Sequence, residues 1–161
     1  MLKKEMITYL IVHCADTPDK EDLRATDIHD MHLGFGWDGA GYHHIICRDG
    51  KIEPGRPFYW QGAHVYGQNE NSLGICLIGR QKFTPAQMNS LSRLLHRLKC
   101  QYPNAEIVPC KTFDECFVKA SKDSNSKIII PESNRITGNI GIEYLIFEYR
   151  PVSYTHLRAN E

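Results

Sequence analysis

The sequence has no charge of one sign in excess. Lys plus Arg and Asp plus Glu stand at 19 each among 161 residues. Without a bulk field, binding to nucleic acid or to an acidic membrane surface is not expected. It also lacks any apolar run near the ~20 residues that span a bilayer. The opening apolar stretch, Met6 to Val12, already contains Thr8 and Tyr9 and ends at His13 without a small-residue cleavage site. A first β-strand is therefore expected there and a secretory signal is not, which implies synthesis into the cytoplasm. No segment repeats. What remains is 42% hydrophobic and 24% charged, the proportions of a globular protein. A chain of this length can bury roughly two-thirds of its unfolded surface in one domain.

With no leader expected, the six cysteines (Cys14, Cys47, Cys76, Cys100, Cys110 and Cys116) read as thiols in a reducing compartment. Cys14, Cys47 and Cys76 sit in or at the end of apolar strand-like runs, where cysteine behaves as a small buried hydrophobe. Cys110 and Cys116 are the two for which a metal role is worth weighing.

The pattern predicts a strand over Ile7 to Cys14, delivering His13 to its C-terminal end before the turn Asp16-Thr17-Pro18-Asp19. A short helix from Asp27 to about Leu33, capped by Thr26 and stopped by Gly34 and Gly36, should follow. Asp49-Gly50 predicts a hairpin between Gly41–Cys47 and Lys51–Glu53. Leu73 to Ile78 reads as a buried strand. The clearest helix comes next: Thr84 as N-cap, Pro85 in the first position, Gln87 completing a capping box, and Met88, Leu91, Leu94, Leu95 and Leu98 on one face. It should end before Tyr102-Pro103, and Glu106 to Val108 is a last short strand. Strands interleaved with two helices imply an α/β (α+β) architecture, a mixed central sheet flanked by helices.

Eight histidines are many for this length, and their surroundings carry the functional signal. In order, the chain reads Ile11-Val12-His13-Cys14-Ala15-Asp16-Thr17-Pro18, His32 with Gly36-Trp37, Gly41-Tyr42-His43, and Arg48-Asp49-Gly50-Lys51-Ile52-Glu53-Pro54-Gly55-Arg56. Then come Gly62-Ala63-His64-Val65, Asn71-Ser72-Leu73-Gly74-Ile75-Cys76-Leu77-Ile78-Gly79, and Phe83-Thr84-Pro85-Ala86-Gln87. These seven stretches resemble the type-2 N-acetylmuramoyl-L-alanine amidases, a family that includes phage-lysozyme-type amidases and is related to the peptidoglycan recognition proteins. The resemblance runs from about Ile7 to Val108. It implies an amidase-type fold, peptidoglycan or muropeptides as partner, a monomer, and one zinc ion held by three side chains with a fourth position for water. His13 matches the first zinc ligand. Tyr42 matches a tyrosine beside the metal-bound water, with a core-packing aromatic as the plain alternative. His64 matches a cleft histidine, a candidate substrate contact. Trp37 and Asn71 are further substrate-binding candidates. Trp37 serves equally well as a core anchor, while Asn71 and Arg56 also read as loop braces. Strand alternation is expected to turn His43 away from the metal, and His29, His32 and His96 read as structural.

The chain departs from the family pattern after Val108. Cys110 occupies the position of the family's second metal histidine. The expected Lys-Ala-Cys-Pro segment is absent, its nearest counterparts being Cys116 and Lys119-Ala120-Ser121. Thiolate is a good zinc ligand, so a His13–Cys110–Cys116 site with Lys119 as the stabilising cation is the implied set. Residues 1–110 are thus expected to form the amidase-like domain. Residues 111–161 are expected to be a divergent segment, disordered or artefactual, because Val152-Ser153-Tyr154-Thr155-His156-Leu157 looks like the translation of a sequencing-library adapter. Two functions follow: a zinc amidase of endolysin type, reaching the wall after release, or a muropeptide-binding module with incomplete zinc ligation.

Overall fold

The computed structural model describes residues 1–65 and 67–109. Its frame is a five-stranded mixed sheet in the order β3-β2-β4-β1-β5. The strands are β1 (Tyr9–Cys14), β2 (His44–Ile46), β3 (Ile52–Pro54), β4 (Ser72–Leu77) and β5 (Glu106–Pro109). β1 lies at the centre of the parallel part, paired with β4 on one side and β5 on the other. β2 runs parallel to β4, and β2 and β3 form the antiparallel hairpin at the edge. Parallel strands are buried on both faces and read as continuous apolar runs. All six residues of β4 are buried, and in β1 only Tyr9 is not fully so.

Two helices cover the two faces. α2 (Pro85–Gln101) presents Met88, Leu91, Leu94, Leu95 and Leu98 to a core shared with Leu73, Ile75 and Leu77 of β4 and Ile46 of β2. α1 (Ala25–Gly34) contributes Ile28 to a second cluster with Ala40, Tyr42, Ile45, Cys76 and Ile78. The assignment of alternate β4 residues to the two clusters is the period-two geometry of a strand. His13 is in register with Cys76, so its side chain belongs to the α1 face.

The N-terminus of α2 forms as its sequence requires. Thr84 Oγ1 accepts from Gln87 N at 3.0 Å, and Gln87 Oε1 accepts from Thr84 N at 3.0 Å. α1 begins two residues earlier than expected. Its first turn is held by Asp27, whose carboxylate accepts from Arg24 N at 2.8 Å, so Thr26 is not the cap. The hairpin turns at Asp49-Gly50 as expected, with Gly50 at φ +88°. Its ladder is confined to His44–Ile46 and Ile52–Pro54, because Gly41 to His43 are not part of the strand. Cys14, Cys47 and Cys76 are buried thiols, and burial pushes that of Cys47 up to about 11.

Candidate active site

β1 ends at Cys14, and the side chain just before it, His13, lies in a nest of aromatic rings. Its Nε2 is 2.8 Å from Nδ1 of His64. Its ring centroid is 4.9 Å from that of His64 and 5.1 Å from that of Tyr42. Tyr42 continues to His32 at 5.3 Å, and His32 to Trp37 at 4.6 Å and Phe35 at 5.7 Å. His13 and His64 are each 1% exposed, whereas Phe35 is 52% exposed. The rings therefore form one contiguous line from the buried end of β1 to the surface beside α1.

Small residues make room for this nest. A Cβ on Gly74 would come within 2.7 Å of the His64 ring, and one on Gly62 within 2.6 Å. The glycines of the Gly62-Ala63-His64 and Leu73-Gly74-Ile75 stretches are thus the space that His64 occupies. Its backbone is pinned as well, since His64 N and Val65 N both donate to Asn69 Oδ1 at 2.9 Å. On its far side, His64 Nε2 is 3.2 Å from Ser72 Oγ, and that hydroxyl donates to Gln68 O at 2.6 Å.

The neighbouring histidines serve as hydrogen-bond acceptors for the backbone. His32 Nδ1 accepts from Gly41 N at 2.8 Å, which ties α1 to the segment carrying Tyr42. His43 Nδ1 accepts from Gly74 N at 3.0 Å, and its Nε2 donates to Trp60 O at 2.8 Å. Burial pushes His32 and His43 down to about 4 and His64 well below the ordinary histidine value, because an imidazolium there would lose its hydration. His32, His43 and His64 are therefore neutral imidazoles near pH 7.

The expectation for His43 needs correction. Its ring lies 6.0 Å from His64, on the face of the sheet that carries His13. Alternation does not govern Tyr42 and His43, because both precede β2, so both rings border the nest. His64 lies behind His13, with each ring nitrogen facing a protein partner. Trp37 packs edge-on against His32 and Phe35. Asn71 braces a loop through its main chain, since its carbonyl accepts from Thr8 N at 2.8 Å, while its buried Oδ1 has no hydrogen-bond partner among the described residues. Arg56 braces as expected, donating to Ala40 O and Gln61 O. Cys110, Cys116 and Lys119 lie outside the described residues. β5 leaves them at Pro109, registered with Val12, one position short of a partner for His13.

A model of the N-acetylmuramoyl-L-alanine amidase family matches residues 3–126. The chain belongs to this family. Among amidase relatives, the endolysin of Enterobacteria phage K11 is 37% identical over 128 residues, covering 70% of this chain and 85% of that protein. The endolysin of Escherichia phage T7 is 38% identical with the same coverage. Among solved structures, the N-acetylmuramoyl-L-alanine amidase LysC of Clostridium intestinale superposes with a TM-score of 0.61 at 30% identity, over 70% of this chain and 76% of that one. The bumblebee peptidoglycan recognition protein SA superposes with a TM-score of 0.59 at 29% identity, over 65% and 70%. The mixed sheet and its helices are thus the amidase and peptidoglycan recognition protein fold.

Amidases of this family are generally zinc-dependent, and the nest fits a metal ion in part. His13 turns Nε2 to His64, and an imidazole is a ligand type that zinc accepts. Among the described residues no group of three or more His, Cys, Asp or Glu is placed to hold a metal. The further ligands implied by the sequence, Cys110 and Cys116, are not among them.

Ser72 is the site residue that the reading of the sequence did not single out. It stands inside the quoted stretch Asn71-Ser72-Leu73-Gly74, but a serine at the start of an apolar strand gives no sign that its hydroxyl meets a histidine eight residues earlier.

Proposed function

We propose that this amidase hydrolyses the N-acetylmuramoyl–L-alanine amide bond of peptidoglycan, as an enzyme of endolysin type. The observation that carries the reading is the buried His13–His64 pair at the C-terminal end of β1, with Tyr42 against it. It is supported by the endolysins that match over most of their length.

His13, Cys110 and Cys116 are the proposed zinc ligands. When bound by three protein ligands with an open position, zinc lowers the pKa of its water from about 15.7 to about 7 and polarises the amide carbonyl. The residues of the chain supply the rest. His64 holds the His13 ring in place and is a support to it more than a contact for substrate. Tyr42 is the group that holds or passes a proton beside the reacting water, and Lys119 is the cation for the charge that develops on the carbonyl oxygen. The line from Tyr42 through His32 to Trp37 and Phe35 is a ring-lined approach against which a sugar or stem peptide can lie, while Asn71, with its Oδ1 buried, braces the loop before β4. Residues 1–110 are the proposed amidase-like domain and 111–161 the divergent segment.

The second reading is a muropeptide-binding module without hydrolysis. It is favoured by the similarity to peptidoglycan recognition proteins and by the cysteine at position 110, where the family has a histidine. Zinc content separates the two. The amidase predicts close to one zinc per chain, lost in His13→Ala. A metal-free protein that still binds muropeptides would replace the amidase reading with the binding module.

A further inference from the structure

On the α2 side of the sheet, away from His13, lies a cavity of about 480 Å³, within the ~300–1,000 Å³ typical of small-molecule sites. Leu73 of β4 and Leu98 of α2 give it an apolar floor continuous with the core. Lys4, Arg97 and Phe58, all exposed, line it together with His44 of β2, and no Asp or Glu does. The sequence sets these groups side by side. Leu2 and Ile7 are buried in the core on either side of Lys4, and Leu2 N donates to Tyr59 O at 2.8 Å. The segment carrying Lys4 is thereby stitched to the loop carrying Phe58. Arg97 adjoins the buried Leu98 on α2, at the border of the packed face.

The polar heads in this lining are unspent. Among the described residues neither Lys4 nor Arg97 makes an ion pair, and no hydrogen bond engages the His44 ring. Burial, with His43 and Arg97 nearby, pushes His44 down to about 4, so at neutral pH it is a hydrogen-bonding group and the charge comes from the two cations. Two cations without an acid call for an anion. The apolar floor and Phe58, which is 62% exposed, call for a carbon body against which a ring can lie. An inorganic anion would leave both unused. An extended peptide would find no open strand edge, because β2 and β4 are each paired on both sides. A sugar ring bearing a carboxylate uses every group present: C–H faces on the aromatic ring and floor, hydroxyls or an acetamide on the imidazole, and the carboxylate on Lys4 and Arg97.

We propose that this cavity binds the free N-acetylmuramic acid groups of glycan already stripped of its peptides, with Lys4 and Arg97 on the lactyl carboxylate and Phe58 against the sugar ring. The proposal rests on the amidase reading for the source of that carboxylate. Hydrolysis breaks the C–N bond, leaves the oxygen of water on the lactyl carbon as a carboxylate, and releases the amine with alanine. Each cut therefore creates the anion that this lining lacks. Because the cavity lies across the sheet from His13, a stripped strand held there leaves the site at the end of β1 open to an uncut one. The cavity thus keeps the protein on wall that it has begun to degrade.

The test is amide NMR titration of the full chain, labelled with nitrogen-15, using three probes. N-acetylmuramic acid carries ring and carboxylate, N-acetylglucosamine the ring alone, and L-alanyl-D-glutamate carboxylates without a sugar. N-acetylmuramic acid should shift the amides of Lys4, His44, Phe58 and Arg97, and should bind there about tenfold or more tighter than either other probe. The double variant Lys4→Gln, Arg97→Gln should lose about tenfold or more of that affinity, while cleaving a soluble muramoyl peptide as the wild type does. No shift at these four amides would overturn the proposal, and the wild-type titration decides this even if the variant does not fold. Equal or tighter binding of N-acetylglucosamine or of the dipeptide would overturn it as well, and so would unchanged affinity in the variant. A chain that cleaves the muramoyl–alanine bond but shows no shift here sinks this proposal alone. A chain that binds N-acetylmuramic acid here but cleaves nothing sinks the amidase reading and leaves a site for a carboxylate-bearing sugar.

Discussion

His43 is 2% exposed and neutral, and burial holds it at about 4, as it does the less enclosed His32. An unfolded histidine titrates near 6.5. Between about pH 6.5 and 4 the unfolded chain therefore binds protons that the native nest refuses. The stability from these groups is whole above that window and lost as pH falls through it, by on the order of 1–3 kcal/mol for each. Urea midpoints measured from pH 7 down to pH 4 should fall, and less steeply in His43→Gln. Gly74 is the other sensitive residue. Gly74→Ala would place a methyl group within 2.7 Å of the His64 ring and should cost about 1–3 kcal/mol while displacing the His13 partner, as read by thermal melting and by zinc affinity. At this scale the sequence was legible where a residue's placement follows from the local pattern, as with His13 near a strand end. It was not legible where the role follows from a remote partner. Nothing around Ser72 or Lys99 signals that the hydroxyl meets His64, or that a helical lysine is fully buried with Nζ donating to Pro103 O and Ala105 O.

α2 carries the strongest local signals in the chain, and the structure adds a purpose to one of them. Gln87 completes the capping box, but it is also fully buried, and its Nε2 donates to Ile46 O at 3.2 Å and Ile78 O at 2.8 Å. Its Oε1 also accepts from Arg48 Nη1 at 3.1 Å. One side chain thus ties the helix start to the ends of β2 and β4. Gln87→Leu preserves the volume but removes four hydrogen bonds, to Ile46 O, Ile78 O, Arg48 Nη1 and Thr84 N, and takes the capping acceptor from Thr84 N. It should destabilise by about 2 kcal/mol or more, against less than about 1.5 kcal/mol for Met88→Leu on the same turn. Equal denaturation midpoints for the two variants would refute that account. The start of α1 was less legible, because Thr26 and Asp27 are both good capping types in adjacent positions and only the carboxylate reaches back to Arg24 N. His43 was misplaced for a related reason: alternation was applied to residues that lie before the strand begins.

For the molecule as a whole, the parallel pairing of β1 with both β4 and β5 gathers its chemistry at one end of the sheet. Ligand sites in such sheets form outside the carboxyl ends of the strands. His13 arrives there on β1, and β5 brings the chain towards the same end before Pro109. The fold class was legible because apolar runs, turn signals and capping motifs all agreed. The strand order was not, because parallel partners distant in sequence leave no local mark. The central claim is that this site cuts a muramoyl–alanine amide. The direct measurement is mass analysis of the products when zinc-replete protein is incubated with a defined N-acetylmuramoyl-L-alanine peptide. The account predicts free N-acetylmuramic acid together with a peptide bearing a new L-alanine amino terminus, and neither product with His13→Ala. An intact substrate, or the same products from His13→Ala, would contradict it.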